Sequence, residues 1–376
     1  MNVEHLACQL ISIRTEAPPG SEEACAAFLR DYFLDLKLDN CDVVFHKFAE
    51  NRANLVVRLG QGNNMGLLFS GHMDVVPAGD FSKWETPPFE PKIRDGKLFG
   101  RGAADMKGGL AAIVRAIESV KNTQLKRGIV FVATAGEEVG FDGLRALIRD
   151  GIVKDHEAIY GIIGEPTSLR IVRAHKGGTL FRVTIKGRSA HSSRPELGVN
   201  AVENAARFII GLTDLRKLLR DMRDPDLGFT VLSATIIRGG VKENVIPDSC
   251  EIIVDCRRIP HHDQRYISST LKQIGESLKS GQTGLELTIE EVLSYDALTT
   301  SENHPIVKLA EEIVGGKAGV APYGTEGPLY QKLGIPTIIL GPGSVEQAHT
   351  VNEYVEIKEL HKAEDIYKEL IKRVCL

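Results

Sequence analysis

The sequence predicts a two-domain protein. One domain is α/β, with helices on both faces of a mixed, mainly parallel sheet, and an α+β unit with an antiparallel sheet is inserted into it. The chain has 376 residues, more than one domain usually holds. Continuously apolar strands alternate with helices in its first and last parts, as in buried parallel sheets. Between them, strands that alternate apolar and polar residues are typical of an antiparallel sheet covered on one face.

The first part of the chain supplies most elements of the α/β domain. An apolar stripe begins after Ser21, which predicts a helix with Ser21 as its cap. A second stripe, from Leu110 to Ile117, predicts another helix. The predicted elements are a helix at 21–37, strands at about 42–48, 53–59 and 66–71, a helix at 107–120, a strand at 129–134, a helix near 141–150 and a strand at 158–163.

The inserted unit begins where the pattern changes, near Lys176. Its predicted elements are strands at 180–185, 230–237 and 251–255 and helices near 198–212 and 263–279. Near Leu285 the chain returns to the first domain, because 336–341 again has the pattern of a buried strand. The last predicted element is a helix at 358–374. The predicted segments are therefore 1–175 and 289–376 for the first domain and 176–288 for the inserted unit.

Composition and charge exclude several classes of function. A formal net charge of -4 gives no field that would favour nucleic acid or an anionic membrane. The start of the chain lacks the features of a secretory signal and no apolar run is long enough to span a membrane, so a cytoplasmic protein is expected. The six cysteines have no metal-binding or redox spacing, which predicts reduced thiols. Any metal is then bound by His, Asp and Glu, whose donors suit Zn²⁺, Co²⁺ or Mn²⁺.

The chemistry-bearing residues follow the predicted strands. His72 and Asp74 end the third strand, two positions apart and so on one face. A histidine that binds metal usually donates its other N–H to a carboxylate or carbonyl, and Asp74 is placed to accept it. A plain buried hydrogen bond between the two side chains is the alternative. Ligand sites in open α/β sheets lie at this end of the strands.

Asp105 precedes a predicted helix and is flanked by glycines at 100, 102, 108 and 109. Two interpretations stay open. Asp105 is an N-cap of the helix, or its carboxylate bridges two metal ions where the glycines allow a close backbone approach.

Three further acids and one histidine complete the candidates. Glu137 and Glu138 are adjacent like charges after a buried strand, where one could bind metal while the other takes a proton from water. Glu165 is held extended by the following proline, which suits a fixed ligand or a loop exit. His349 lies in a loop after the late strand and has no interpretation by itself.

Taken in order, these segments resemble the motifs of one metallopeptidase family. It is the family of acetylornithine deacetylases, succinyl-diaminopimelate desuccinylases, aminoacylases and related dipeptidases. The matching segments are Gly71-His72-Met73-Asp74-Val75-Val76-Pro77, Gly100-Arg101-Gly102-Ala103-Ala104-Asp105-Met106-Lys107-Gly108-Gly109, Gly136-Glu137-Glu138, Gly164-Glu165-Pro166 and Ala348-His349. The resemblance covers essentially the whole chain.

The resemblance implies a site with two metal ions of the zinc type. By analogy with the family, His72, Asp105 and Glu165 bind one ion, and Asp105, Glu138 and His349 bind the second. The resemblance makes Glu137 the general base and Asp74 the partner that orients His72. It also implies a cis peptide bond between Asp105 and Met106.

The resemblance gives the inserted unit the role of a lid and dimerisation domain, and so implies a homodimer. His191 looks like the family histidine that reaches the active site of the dimer partner and stabilises an oxyanion. Asn244, Arg257 and Lys176 resemble positions that bind substrate. Arg257 could equally form an ion pair with Asp255.

The expected activity is hydrolysis of the amide bond of a small N-acyl amino acid. Three segments look more like acetylornithine deacetylases, which act in arginine biosynthesis, than like desuccinylases: His175-Lys176-Gly177, Gly324-Thr325-Glu326-Gly327 and Leu340-Gly341-Pro342-Gly343. In contrast, Ala103-Ala104 before Asp105 resembles the desuccinylases. A desuccinylase or dipeptidase of the same family is the alternative. A relative that only binds is less favoured, because every expected metal and base position is filled.

Overall fold

The computed structural model describes residues 1–60, 62, 64–280 and 283–376, and these form two compact units. The first unit consists of Met1–Arg173, Thr300–Gly319 and Thr325–Leu376. The second consists of Ala174–Thr299 with Val320–Gly324. The first unit is therefore discontinuous in sequence, and the second is inserted into it.

The strands, in chain order, are β1 Cys41–Ala49, β2 Arg52–Leu59, β3 Met65–His72, β4 Lys92–Arg94, β5 Lys97–Phe99, β6 Gly128–Thr134, β7 Ala158–Ile163, β8 Val172–His175, β9 Gly177–Lys186, β10 Ala190–His191, β11 Val231–Gly239, β12 Val245–Ile246, β13 Ser249–Arg258, β14 Glu286–Tyr295, β15 Leu298–Thr299, β16 Gly319–Ala321, β17 Thr337–Ile339 and β18 Tyr354–Glu356. The helices are α1 Val3–Ser12, α2 Glu23–Leu36, α3 Lys107–Glu118, α4 Asp142–Arg149, α5 Ala201–Asp221, α6 Gln264–Lys279, α7 Pro305–Val314, α8 Gly327–Lys332 and α9 Ile357–Cys375.

The sheet of the first unit runs in the order β1-β2-β6-β3-β7-β17-β8. Its centre is parallel, because β3 pairs in parallel with β6 and β7, and β7 with β17. The outer pairs β1–β2, β2–β6 and β17–β8 are antiparallel. The predicted mixed sheet with a parallel centre is confirmed.

Both faces of this sheet are buried. Leu67 and Phe69 of β3 belong to the main hydrophobic core, and the intervening Leu68 and Ser70 are fully buried as well. Side chains of a strand point alternately to opposite faces, so the sheet is covered on each side. This explains why its strands are continuously apolar in sequence.

Helix α3 packs against α9 and α1 and follows directly after Asp105. Its apolar face, which includes Leu110, Ile113 and Ile117, belongs to the main core. A side chain at Gly109 would place its Cβ 2.2 Å from the carbonyl oxygen of Gly164. Glycine at this position therefore lets the helix approach the segment that carries Glu165.

The second unit contains an antiparallel sheet in the order β11-β13-β9-β14. Its inward residues, such as Phe181, Val183 and Ile252, form a separate core with apolar side chains of α5 and α6. The prediction that this unit is α+β with an antiparallel sheet is confirmed. Its end comes later than the predicted residue 288, because β14 completes the sheet by pairing with β9 from Glu286 to Tyr295.

Several local predictions differ from the structure. Ser21 is not the cap of α2, since its hydroxyl donates to the carbonyl of Arg14, and Glu22 occupies the cap position. Helix α5 continues to Asp221, nine residues beyond the predicted end at 212, because Leu215 and Leu219 extend its buried stripe. Helix α1 is not among the predicted elements, although Asn2 caps it by accepting from the backbone of His5.

All six cysteines are free thiols, and Cys25, Cys250, Cys256 and Cys375 are buried. No helix among the described residues has both the length and the apolar character needed to cross a membrane.

Stability of the second unit should depend on pH through His175, which is fully buried. Burial lowers the pKa of His175 to about 4, although its hydrogen bond to the Lys176 carbonyl opposes the shift. The unfolded chain protonates this histidine below pH ~6.5 and the folded chain does not. We therefore expect the contribution of His175 to the free energy of unfolding to fall by about 3 kcal/mol as pH drops from about 7 to 4.

The His175→Gln variant isolates this contribution, because glutamine carries no charge over that range. Urea unfolding of both proteins between pH 7 and 4 should show the variant losing less stability on acidification. Parallel pH profiles for the two proteins would contradict the prediction.

Candidate metal centre

The candidate residues of the first unit gather at one edge of its sheet. Strands β3, β6 and β7 are parallel neighbours, so their carboxyl ends lie together. His72 is the last residue of β3, Glu137 and Glu138 follow β6, and Glu165 follows β7. Ligands of open α/β sheets bind at this kind of edge.

His72 is buried and faces two carboxylates through one ring nitrogen. Its Nε2 lies 3.0 Å from Oδ1 of Asp105 and 3.5 Å from Oε1 of Glu165. Its Nδ1 lies 2.9 Å from the backbone carbonyl oxygen of Asp74. A carbonyl oxygen can only accept, so Nδ1 carries a proton and Nε2 is the atom available to a cation.

Asp105 lies between the two histidines. Its Oδ1 contacts His72, and its Oδ2 lies 3.3 Å from Nε2 of His349. The helix α3 has Met106 at its cap position without a side-chain capping bond, so the interpretation of Asp105 as an N-cap is wrong. The Asp105–Met106 peptide bond is cis, as the family resemblance implied.

His349 is presented by a turn after β17 and has φ 62°, in the left-handed region. Its Nε2 lies 3.0 Å from Oε1 of Glu138 as well as near Asp105. The side chain is 55% exposed, whereas that of Glu138 is 9% exposed. One side of this group is therefore open to solvent and the other is enclosed.

Two three-residue groups result, and they share Asp105. His72, Asp105 and Glu165 form the first, and Asp105, Glu138 and His349 form the second. Within each group the ligand atoms lie within 4.8 Å of one another. Imidazole nitrogen and carboxylate oxygen are donors that zinc, cobalt and manganese accept, so the residues fit a pair of such ions.

Electrostatics of the cluster also fit a cation. Burial raises the pKa of Glu137 well above its usual range, and the charge of Glu165 adds to this. Burial and the charge of Asp105 raise the pKa of Glu138, and burial raises the pKa of Glu165 to about 7. Crowded carboxylates resist ionising together, and a divalent cation among them relieves that repulsion.

The histidines respond to the same crowding. Burial by itself would lower the pKa of His72, but the charge of Glu165 and the contact with Asp105 outweigh it and raise the pKa well above its usual range. Hydrogen bonds with Asp105 and Glu138 raise the pKa of His349 to about 10. The surrounding carboxylates therefore favour a positive charge at both rings, and a proton and a metal ion would compete for the same ring nitrogens.

The side chain of Asp74 lies closer to the turn at residues 136–138 than to the ring of His72. Its Oδ1 is 3.6 Å from His72 Nδ1, while the backbone carbonyl of the same residue makes the shorter contact. The carboxylate instead accepts backbone N–H groups from Gly136 at 2.8 Å, Glu137 at 3.1 Å and Glu138 at 3.1 Å. The chain leaves the strand after His72, so the side chain turns toward the neighbouring loop. Asp74 therefore holds the turn that presents the two glutamates.

The guanidinium of Arg52 lies next to Gly136 of the same turn. This guanidinium binds both oxygens of the fully buried Glu22 and also contacts Asp142. Gly136 has φ +73°, and a Cβ there would lie 2.2 Å from Arg52 Nη2. The positive φ favours glycine at this position, whereas the end of the Arg52 side chain could shift to make room for a Cβ.

A buried acid not among the sequence candidates, Glu326, also lies beside this edge. Thr134, the last residue of β6, donates its hydroxyl to Oε2 of Glu326 at 2.9 Å. The other oxygen, Oε1, makes no hydrogen bond within the described part of the chain. Burial raises the pKa of Glu326 to about 8. In sequence it appears only as an acid in a glycine-containing segment, and no periodicity signals its burial.

The remaining predicted site residues belong to the second unit. His191 ends β10, is exposed, and accepts from the hydroxyl of Ser193 at 2.8 Å. Asn244 accepts from the backbone of Ser192 through its carbonyl. Arg257 pairs with Asp255 at 3.0 Å, which is the alternative raised from the sequence, and also donates to the Tyr295 hydroxyl at 2.6 Å.

Lys176 donates to the backbone carbonyl of Phe229 at 2.5 Å. Its ammonium group also lies 5.6 Å from the centre of the Phe229 ring. Burial lowers the pKa of Lys176.

The chain is similar to a known protein family and to several solved structures. The model of peptidase family M20/M25/M40 matches residues 68–373. Over its whole length the chain is similar to a solved tripeptidase from Staphylococcus aureus, with 25% identity, a TM-score of 0.78 and coverage of 99% of this chain and 97% of that one. A metallo-carboxypeptidase of the M20 family from Sulfolobus solfataricus has 20% identity, a TM-score of 0.81 and 99% coverage of both chains. A dinuclear metal-binding peptidase from Bacillus subtilis has 16% identity, a TM-score of 0.69 and coverage of 99% and 97%.

Proposed function

This chain belongs to peptidase family M20/M25/M40, and from that premise we propose that it is a dinuclear-metal hydrolase that cleaves the amide bond of a small N-acyl amino acid. N-acetylornithine is the leading substrate. The observation that carries the proposal is the pair of ligand groups that share Asp105, with Glu137 beside them. A purely structural role would not require two histidines to converge on crowded acids.

The proposed ligand sets are those of the two groups. His72, Asp105 and Glu165 hold one ion, and Asp105, Glu138 and His349 hold the other. We propose zinc as the ion, with cobalt or manganese as substitutes that suit the same donors. When bound, such ions supply Lewis-acid polarisation of the amide carbonyl and a water of lowered pKa.

Glu137 is proposed as the general base. Its backbone N–H is held by Asp74, and neither of its carboxylate oxygens makes a hydrogen bond to another described residue. It can therefore take one proton from the attacking water as the oxygen bonds to the carbonyl carbon. It returns that proton to the nitrogen as the carbon–nitrogen bond breaks, giving a carboxylic acid and an amine. The acid then passes its proton, the second one of the water, to the amine, and the products are a carboxylate and an ammonium group.

The residues of the second unit are proposed to act on the substrate. Arg257, Asn244 and Lys176 would bind the substrate's carboxylate and polar groups, since guanidinium and ammonium groups favour carboxylates. His191 would stabilise the oxyanion in a partner subunit, which makes a homodimer with a lid domain part of the proposal. Support for these roles comes from the motif resemblance.

A peptidase acting on di- or tripeptides is the second candidate. What favours it is the similarity of 25% identity, over nearly the whole of both chains, to the tripeptidase. The chemistry at the metal centre would be the same, and the difference would lie in the pocket for the substrate.

A substrate panel separates the candidates. The protein is loaded with Zn²⁺, Co²⁺ or Mn²⁺ and assayed with N-acetylornithine, succinyl-diaminopimelate, a dipeptide and a tripeptide, with the Glu137→Gln variant as the blank. We expect the highest kcat/KM for N-acetylornithine. Faster cleavage of a peptide would establish the second candidate. If the protein binds two ions but cleaves none of these substrates, the proposal that it hydrolyses them is overturned.

A further inference from the structure

One buried carboxylate ties together the two loops that carry Asp105 and His349. Glu353 is fully buried and lies four residues after His349. Its Oε2 accepts from Arg101 Nη1 at 2.7 Å and from the backbone N–H of Gly102 at 2.9 Å. Its Oε1 accepts from the backbone N–H of Ala104 at 2.8 Å and of Asp105 at 3.0 Å.

Three of these four donors are backbone groups of the segment that leads into Asp105. A side-chain ion pair by itself would fix the position of Arg101, whereas backbone hydrogen bonds fix the path of the chain. The backbone of Glu353 adds to this, because its carbonyl accepts from Gly100 at 3.0 Å. Beyond Glu353, Tyr354 pairs with Phe99 in the small sheet formed by β18 and β5. Glu353 and Tyr354 therefore contact residues 99–102, 104 and 105 of the other loop.

We propose that Glu353 is a positioning residue for the ion held by Asp105, Glu138 and His349. This inference rests on the proposed function. Asp105 and His349 come from loops far apart in the sequence. His349 is joined to Glu353 by a short stretch of chain, and Asp105 by a backbone hydrogen bond to its carboxylate. Fixing both loops to one carboxylate holds the two ligands at the separation that the ion needs. Groups that orient metal ligands without touching the metal typically change metal affinity by about 10- to 100-fold when they are replaced.

The Glu353→Gln variant tests the inference, because glutamine has the same shape but only one acceptor oxygen. In either orientation its amide N–H₂ faces two of the four donors. We expect the affinity for the second Zn²⁺ ion to fall by about 10- to 100-fold. The first ion should be affected less, since His72 and Glu165 make no contact with Glu353. The measurement is equilibrium dialysis with quantitation of bound zinc, which requires no turnover.

Two further variants make the result specific. Arg101→Gln removes the ion pair but leaves three backbone donors on Glu353, so we expect nearly normal binding of both ions. Glu157→Gln is a matched control, because Glu157 also accepts from an arginine and a backbone N–H, those of Arg58 and Lys154. Glu157 precedes β7, at the opposite end of that strand from Glu165, and its variant should bind both ions normally.

Several outcomes would overturn the inference. Normal binding of two ions by Glu353→Gln would do so. If Glu353→Gln and Arg101→Gln lose the same affinity for the second ion, Glu353 acts only as the ion-pair partner of Arg101. If Glu353→Gln does not fold, a tenfold or greater loss of the second ion in Arg101→Gln decides against the inference. A wild-type protein that binds two ions but cleaves no substrate would overturn the proposed function and leave this inference standing. One that binds a single ion would overturn both.

Discussion

Replacing Glu137 by glutamine should abolish turnover while both metal ions remain bound. Glu137 belongs to neither ligand group, so its loss removes no donor from the ions. Glutamine has the same size and cannot accept a proton at neutral pH. General-base catalysis typically contributes 10²- to 10⁴-fold, and we expect kcat to fall by about a thousandfold or more with little change in KM.

The measurement pairs steady-state kinetics with metal analysis of the same sample. Glu138→Gln serves as the matched control, since Glu138 is the adjacent residue and is proposed as a ligand. It should lose affinity for one ion, whereas Glu137→Gln should not. Normal turnover in Glu137→Gln would remove Glu137 from the mechanism. Loss of an ion in that variant would assign Glu137 to the ligands instead.

Replacing Asp74 by alanine should lower both the stability of the folded protein and its catalytic activity. The side chain is fully buried and accepts three backbone N–H groups from the turn at residues 136–138. A buried donor without a partner costs about 1–3 kcal/mol. We expect a loss of about 3–6 kcal/mol in the free energy of unfolding, and a kcat reduced because Glu137 is no longer held in place.

Asp74→Asn should lie between the wild type and Asp74→Ala. Its oxygen can keep the hydrogen bonds of Gly136 and Glu137, but its amide N–H₂ faces the N–H of Glu138. Glu311→Ala is a control elsewhere in the first unit, because Glu311 also accepts a backbone N–H, that of Ala318. Urea unfolding measured with a chelator separates stability from ion binding. Equal stability of Asp74→Ala and the wild type would show that water replaces the lost acceptor.

Much of the first unit could be predicted because its signals are local. Apolar runs identify β3, β6 and β7 within about one residue of their observed bounds, since both faces of this sheet are buried. His72, Glu138 and Glu165 stand at or just after those strands, so the edge of a parallel sheet brings them together. Because the apolar runs show where these strands end, the sequence also shows which polar residues follow them.

Other features depend on contacts between distant segments, which no local pattern encodes. The position of Asp105 between His72 and His349 depends on such contacts. The role of the Asp74 carboxylate is decided by backbone groups more than sixty positions later. Glu326 and Glu353 appear in sequence as isolated acids in loops, and only the fold reveals that they are buried.

The sharing of Asp105 between two ligand groups also sets an order of assembly during synthesis. A ribosome that has reached residue 165 has already made every residue of the first candidate group, whereas the second group is complete only when His349 has been made. The entire inserted unit is translated in that interval. A nascent chain therefore contains one complete candidate group while the inserted unit is still being made. Domains generally fold as units during synthesis, and both candidate groups can be complete only after the inserted unit has been made.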